Sequence, residues 1–519
     1  MNGLAKDRVR VLVIGLDGAT PEIMFKLAEK GDLSNIKDLI SHGAYGKLKS
    51  TIPPLSPTAW ASLATGVNPG KHGIYGYSVS RNVYEEGFPR ISLENMGVYT
   101  IWELASLYGK KVCVISYPFT YPPKPVNGIL LSGMGAPRSR NFVYPAELEK
   151  FLVDEIGYYP DYDRKCLTDE KLYDEEMNRY ISGVHRAAKH FLQHFDWDLL
   201  VAVFVEPDTA QHFFWHRMDK ILKCYVEMDH IVGDLVKIAR SIDEKTHIFI
   251  ISDHGGRPLN KLVVLNNWLI KEGWLKLRKR ALSEILRKFG INRENIKRIL
   301  ERVRLSKIVK ETGLKASWLP SKTKGIWDID WDKTLAYAHQ TYGQIFINYD
   351  KVKTREDIIR LANQIANKLK DLTDPEDGQL IVKEIYLKHQ IFSGSRAYDA
   401  PDIYVVPNDG YDFIAFHPQS DMNSLILQSP RSGTHSQEGI IICNGPGIKK
   451  GLCIDASIVD IAPTVLYLLD IPIPTYIDGK PLLEILEDNL RSKHALKQLK
   501  FKERTRIKQR VKVLRKQRK

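Results

Sequence analysis

A chain of 519 residues, 43% of them apolar, is too long for one simple core and is predicted to form one large domain with insertions, or two domains. Its net charge of +14 is concentrated: residues 491–519 carry +13 and residues 276–324 carry +12, which leaves the remainder at −11, an acidic body with two basic attachments. No apolar run reaches the ~18–20 residues of a membrane-spanning helix, and five scattered cysteines without Cys-x-x-Cys spacing suggest neither a disulfide framework nor a thiolate metal site.

Residues 8–16 form a near-continuous apolar run that ends at Asp17-Gly18, with no signal-type segment before it. With the reduced-looking cysteines, this sets the expectation of a cytoplasmic protein. Such a run suits a strand buried on both faces, and residues 111–117, 199–205, 247–251 and 402–406 read the same way. Helical patterns lie between them, at 21–30, 145–154, 219–241, 355–372 and 457–469. The alternation predicts an α/β fold, a mostly parallel central sheet with helices on both faces, and ligands beyond the carboxyl ends of the strands.

Residues 51–76 stand out as a loop that delivers a hydroxyl to the start of a buried helix. Pro53 and Pro54 keep the approach extended. Ser56 is a good N-cap, Pro57 suits the first helical position, and Gly66 with Asn68-Pro69-Gly70 ends the helix. The free N–H groups and dipole of a helix N-terminus suit a phosphate-like anion.

Residues 266–325 are amphipathic, helical and basic, and are expected to be an insertion or cap. Within or beside it, Trp268, Trp274, Trp318 and Trp327 either dock it on the body or cover an organic leaving group. The expected division is a catalytic domain of residues 1–265 and 326–490, the insertion 266–325 and a basic tail 491–519. The tail is a long helix or an unfolded arm, suited to a polyanion or an anionic membrane surface.

The chemistry gathers just after the buried strands. Asp17 follows the first. Asp208 and His212 follow the third at i and i+4, on one face of a helix starting near Asp208. Asp253-His254-Gly255-Gly256 follows the fourth; consecutive side chains of a strand diverge, so Asp253 and His254 converge only if the glycines turn the chain. His435, in Gly433-Thr434-His435-Ser436, completes the set. Mixed nitrogen and oxygen ligands without cysteine suit zinc, with manganese second. Six ligands match two ions rather than one. Two divalent ions about 4 Å apart hold both oxygens of a phosphoryl transfer, and a serine hydroxyl beside one loses its proton more readily.

These motifs, in this order, resemble the alkaline phosphatase superfamily, nearest its type I phosphodiesterase/nucleotide pyrophosphatase branch. The matching pieces are Gly15-Leu16-Asp17-Gly18, residues 56–74, Asp208-x-x-x-His212, Ser252-Asp253-His254-Gly255, Gly433-Thr434-His435, residues 460–464 and Asp478-Gly479. The resemblance implies a two-metal phosphodiesterase acting on a small phosphodiester or nucleotide. Asp208, His212 and His435 would hold one ion; Asp17, Asp253, His254 and the nucleophile Ser56 would hold the other, with Thr58 as the lesser candidate nucleophile and a covalent phospho-serine intermediate. The family's nucleotide-pocket aromatics and phosphate-holding asparagine are not found in the sequence. The alternatives are a phosphomonoesterase or phosphomutase of the same superfamily, although no large domain follows the nucleophile here, and a polyanion-binding protein with a vestigial site. A sulfatase is excluded, because Ser56-Pro57-Thr58-Ala59-Trp60 lacks the required arginine.

Overall fold

The computed structural model describes residues 8–77, 91–93, 96–278, 329–339, 341–416 and 424–488, and the backbone of 498–499. Most of the expected insertion, with Trp318 and Trp327, and the tail apart from that short strand lie outside the described residues.

The strand Val11–Leu16 shows why the sheet is central. All six of its residues are buried, and they alternate: Leu12, Ile14 and Leu16 enter one core, Val11 and Val13 the other. The first core takes the long helices Glu170–His194 and Met218–Ile242 together with Pro21–Lys30 and Ser34–Ser41. The second takes Ser56–Thr65, Ile101–Leu107 and Ile461–Leu468.

The nine-stranded sheet runs in the order Leu452–Ser457, Ala44–Lys49, Glu438–Asn444, His247–Ile251, Val11–Leu16, Leu199–Phe204, Val112–Tyr117, Gly128–Ser132, Val143–Tyr144. Its middle is parallel, and Glu438–Asn444 pairs antiparallel with both its neighbours. This is the expected α/β architecture. No helix among the described residues is long and apolar enough to cross a membrane.

The run at 402–406 is a strand, Ile403–Pro407, but not of this sheet. It belongs to a four-stranded antiparallel sheet with Val382–Leu387, Gln344–Ile347 and Ala336–Ala338. The helices Arg355–Lys370 and Leu265–Lys271 close a third core over it. Trp268 is buried in that core with Trp274 packed against it, ring centroids 5.4 Å apart, so these two tryptophans build the smaller unit. Apolar residues in a short strand do not tell which sheet will bury them.

Candidate active site

Three neighbouring strands end at the site. Val11–Leu16 lies between Leu199–Phe204 and His247–Ile251, parallel to both. Its end sets down Asp17, the second leads into the helix Glu206–Phe214 that carries Asp208 and His212, and the third runs into Asp253 and His254. The chain continues from His254 into the long strand Gly255–Val264, against which Gly433–Ser436 pairs antiparallel with His435 opposite Gly256. That register carries His435 to the same place. The glycines serve close approach there: a Cβ at Gly255 would stand 2.2 Å from the Glu438 carbonyl oxygen, and one at Gly256 2.5 Å from Gln211 Oε1.

All six candidate ligands converge. Asp208 Oδ1 lies 3.3 Å from His435 Nε2 and 3.4 Å from His212 Nε2, and the two imidazole nitrogens are 3.0 Å apart. His254 Nε2 lies 3.3 Å from Asp253 Oδ2 and 3.6 Å from Asp17 Oδ1. The rings of His254 and His435 stack with centroids 3.8 Å apart, which joins the two halves. Ligand atoms of Asp17, Asp253 and His254 lie within 4.8 Å of one another, as do those of Asp208, His254 and His435.

The three imidazoles are oriented alike. His212 Nδ1 faces the Gly433 carbonyl at 2.9 Å, His435 Nδ1 that of Pro54 at 2.9 Å, and His254 Nδ1 that of Gly255 at 3.0 Å. A carbonyl only accepts, so each Nδ1 carries the hydrogen and each neutral ring turns an Nε2 lone pair inward, the arrangement of a metal ligand.

Ser56 begins the helix Ser56–Thr65 in its first turn; Leu55 is the cap residue, so the serine hydroxyl is not consumed in capping. Ser56 Oγ stands 3.2 Å from His254 Nε2. Thr58, the other candidate hydroxyl, is fully buried and its Oγ1 has no hydrogen-bond partner among the described residues.

The type I phosphodiesterase/nucleotide pyrophosphatase family matches residues 11–424, the three strand-end motifs and the Ser56 helix included. The chain belongs to that family. It is accordingly a phosphodiesterase/pyrophosphatase-type hydrolase of the alkaline phosphatase superfamily. Solved structures with the same fold include human ectonucleotide pyrophosphatase/phosphodiesterase 5, 13% identical with a TM-score of 0.51, covering 92% of this chain and 99% of that one. An inactive murine form of the same protein in complex with AMP is 14% identical with a TM-score of 0.53, covering 92% and 100%. Phosphonoacetate hydrolase from Sinorhizobium meliloti, in complex with phosphonoformate, is 14% identical with a TM-score of 0.56, covering 89% and 96%. No curated protein matches the chain significantly in sequence.

The electrostatics of this phosphodiesterase-family site call for cations. Burial, then the charges of Asp253 and Asp208, push the Asp17 carboxyl well above its ordinary range. Burial and Asp208 push Asp253 up to about 8. Burial, then His254, lowers His435 to about 3, and burial lowers His212 as well. Asp17 Oδ1 and Asp253 Oδ2 are buried without a hydrogen-bond partner among the described residues. Buried carboxylate oxygens aimed at an inward lone pair fit divalent cations, which satisfy both at once.

Several further residues shape the site. Trp60, one turn after Ser56, donates its indole N–H to Asp17 Oδ2 at 2.9 Å. Tyr342, delivered by the smaller sheet, stacks on His435 with centroids 4.8 Å apart and sets its hydroxyl 3.3 Å from Nε2, with φ +64° in the left-handed region. Tyr77 lies near Ser56 and lines the space beside Asp208. Gly18 adopts φ +70° and donates its N–H to Asp253 Oδ1 at 3.2 Å; a Cβ there would stand 2.8 Å from Asp208 Cα. Gly18 was legible from its place after Asp17 and Trp60 discoverable from its i+4 spacing to Ser56; Tyr77 and Tyr342 carried no sequence signal.

Proposed function

We propose that the protein hydrolyses a small phosphodiester or nucleotide, with Ser56 as nucleophile and two divalent cations, zinc first and manganese second. The observation that carries this reading is the position of Ser56 Oγ, 3.2 Å from the one imidazole shared by both ligand groups and at a helix N-terminus. Asp208, His212 and His435 would hold one cation, and Asp17, Asp253, His254 and Ser56 the other. Bound there, such ions supply Lewis acidity and neutralise charge on the phosphoryl oxygens.

The remaining roles belong to the chain. Trp60 fixes Asp17, the three backbone carbonyls fix the imidazoles, and the Ser56 helix offers its positive end to the phosphoryl group. Ser56 Oγ would release its proton to solvent and attack phosphorus as the ester P–O bond breaks and the departing oxygen takes a proton from water; water then hydrolyses the phospho-serine and returns a proton to Oγ. The Tyr342 hydroxyl faces the same space and is placed to donate to a phosphoryl oxygen. The same proposal keeps residues 1–265 and 326–490 as one catalytic unit, because the smaller sheet contributes Tyr342.

The test is hydrolysis of a chromogenic phosphodiester and the matching monoester by metal-loaded protein, with Ser56→Ala alongside. Preference for the diester, lost in Ser56→Ala, is the expected result. A monoester preference would move the assignment to a phosphomonoesterase with the site unchanged. Full activity in Ser56→Ala would remove the nucleophile assignment.

A further inference from the structure

A cavity of about 410 Å³ opens beside Asp208 and His212. That volume admits a small organic group and no macromolecule. Its walls are partly aromatic, with Tyr162 and Phe213, and two arginines, Arg164 and Arg431, line it. We propose that this cavity selects a phosphate ester whose organic arm ends in a second anionic group, a carboxylate or a phosphate, held by Arg164 and Arg431. The proposal rests on the phosphoryl-transfer reading of the site and specifies its substrate.

Both guanidinium groups are placed on aromatic faces, Arg164 with Cζ 4.5 Å from the Tyr162 ring centroid and Arg431 with Cζ 5.6 Å from that of Phe213. Stacking of this kind holds a planar cation in one orientation and leaves its N–H edge to a ligand. Arg431 has no carboxylate within 4.0 Å among the described residues; Arg164 has one, Asp161 at 3.7 Å, a loose ion pair that leaves its N–H groups open to a closer ligand. Asp161 is itself committed to the backbone N–H groups of Gly135 at 3.1 Å and Tyr162 at 2.9 Å. Asp412, a further carboxylate lining the cavity, is tied to Thr434 Oγ1 at 2.6 Å and to the Phe413 N–H at 2.7 Å.

The backbone at Arg431 is also fixed relative to the chemistry. Its backbone N–H donates to Ser429 Oγ at 3.1 Å, and the next residue, Ser432, donates its N–H to the carbonyl of His212 at 3.0 Å. The loop that presents this cation is therefore bonded to a candidate metal ligand. The scissile phosphoryl group has the Ser56 helix and the carboxylate–imidazole cluster to receive it. Two guanidinium groups further along the cavity are left for charge elsewhere on the substrate. Guanidinium forks match carboxylate and phosphate oxygens in pairs.

The experiment uses the metal-loaded full chain and three diesters: p-nitrophenyl propyl phosphate, and the same compound with a terminal carboxylate or a terminal phosphate on the propyl arm. The expected kcat/KM favours at least one charged arm about tenfold or more, since charge-assisted hydrogen bonds are worth about that factor; which one separates carboxylate from phosphate recognition. Arg431→Gln and Arg164→Gln each reduce the charged-to-neutral ratio, the double variant brings it near one, and Arg431→Lys restores part of it. No preference in the wild type, or a preference that survives in the double variant, overturns the proposal. Calorimetric binding of the product monoesters, propyl phosphate against its carboxylated and phosphorylated forms, separates this from the reaction assignment. Absence of turnover on every diester counts against the phosphodiesterase reading, whereas equal affinity for all three monoesters counts against the arginine pair.

Discussion

His212 Nε2 and His435 Nε2 stand 3.0 Å apart with no hydrogen between them, because each ring has given its hydrogen to a backbone carbonyl through Nδ1. Two lone pairs at that distance repel unless a cation lies between or beside them, and Asp208 Oδ1 lies 3.3 and 3.4 Å away to complete the cluster. The arrangement makes the metal-free protein a strained one, and most of the predictions below draw on that.

Metal removal will destabilise the protein more at pH 8 than at pH 6.5. Without cations the folded carboxyls of Asp17 and Asp253 are raised, Asp253 to about 8, so the folded state keeps protons that the unfolded state has released. Stability of the metal-free form then falls as pH rises toward 8, at roughly 1.4 kcal/mol per pH unit for each retained proton. His435, lowered to about 3, and His212, also lowered, contribute the opposite slope only below about pH 6.5, where the unfolded imidazoles become protonated. Tm measured with chelator and with zinc at the two pH values checks this. A gap between the two forms that does not widen toward pH 8 would contradict it.

Trp60→Phe keeps the buried ring and removes the N–H that Asp17 Oδ2 accepts at 2.9 Å. Metal affinity is expected to fall about 10-fold or more, the usual consequence of losing a partner that orients a ligand. A competitive chelator titration reads this directly, and unchanged affinity would show that Asp17 is held without the indole.

Tyr342→Phe removes a hydroxyl 3.3 Å from His435 Nε2 and keeps the ring stacked on that imidazole. The left-handed φ of +64° at a tyrosine costs of order 1 kcal/mol, a strain consistent with a functional position. About a 10-fold loss of kcat with two ions still bound is the expected result. A loss of metal with the hydroxyl would make Tyr342 a support for His435 instead.

Gly18→Ala is expected to unfold or misplace the site, since the new Cβ would meet Asp208 Cα at 2.8 Å on a backbone with φ +70°. Destabilisation of at least about 1 kcal/mol should accompany a severe loss of activity, both measurable by chemical denaturation and diester turnover. Wild-type stability in this variant would mean that the turn after the first strand yields easily.

The ligand residues could be read from the sequence because each directly follows a long apolar run or, for His435, sits in a short glycine-flanked segment, and α/β sheets place sites at such ends. Asp208 and His212 could be paired by i+4 spacing alone. What could not be read is what depends on pairing across long separations. The register that sets His435 opposite Gly256 has no local signature, and the strand at 403–407 looks like a parallel core strand until its antiparallel partners are known. The cavity arginines were equally hidden, since an isolated arginine in a polar loop reads as surface charge until Phe213 or Tyr162 is found beneath it. Ser56 was expected to cap its own helix, and Leu55 takes that place, which leaves the hydroxyl free.

The most direct test of the account is the number of metal ions bound per chain. Elemental analysis after dialysis against zinc, on the wild type, His435→Ala and Asp253→Ala, is predicted to give two, one and one. A wild type that holds no ion, or variants that hold as many as the wild type, would contradict the two-cation site on which the proposed chemistry depends.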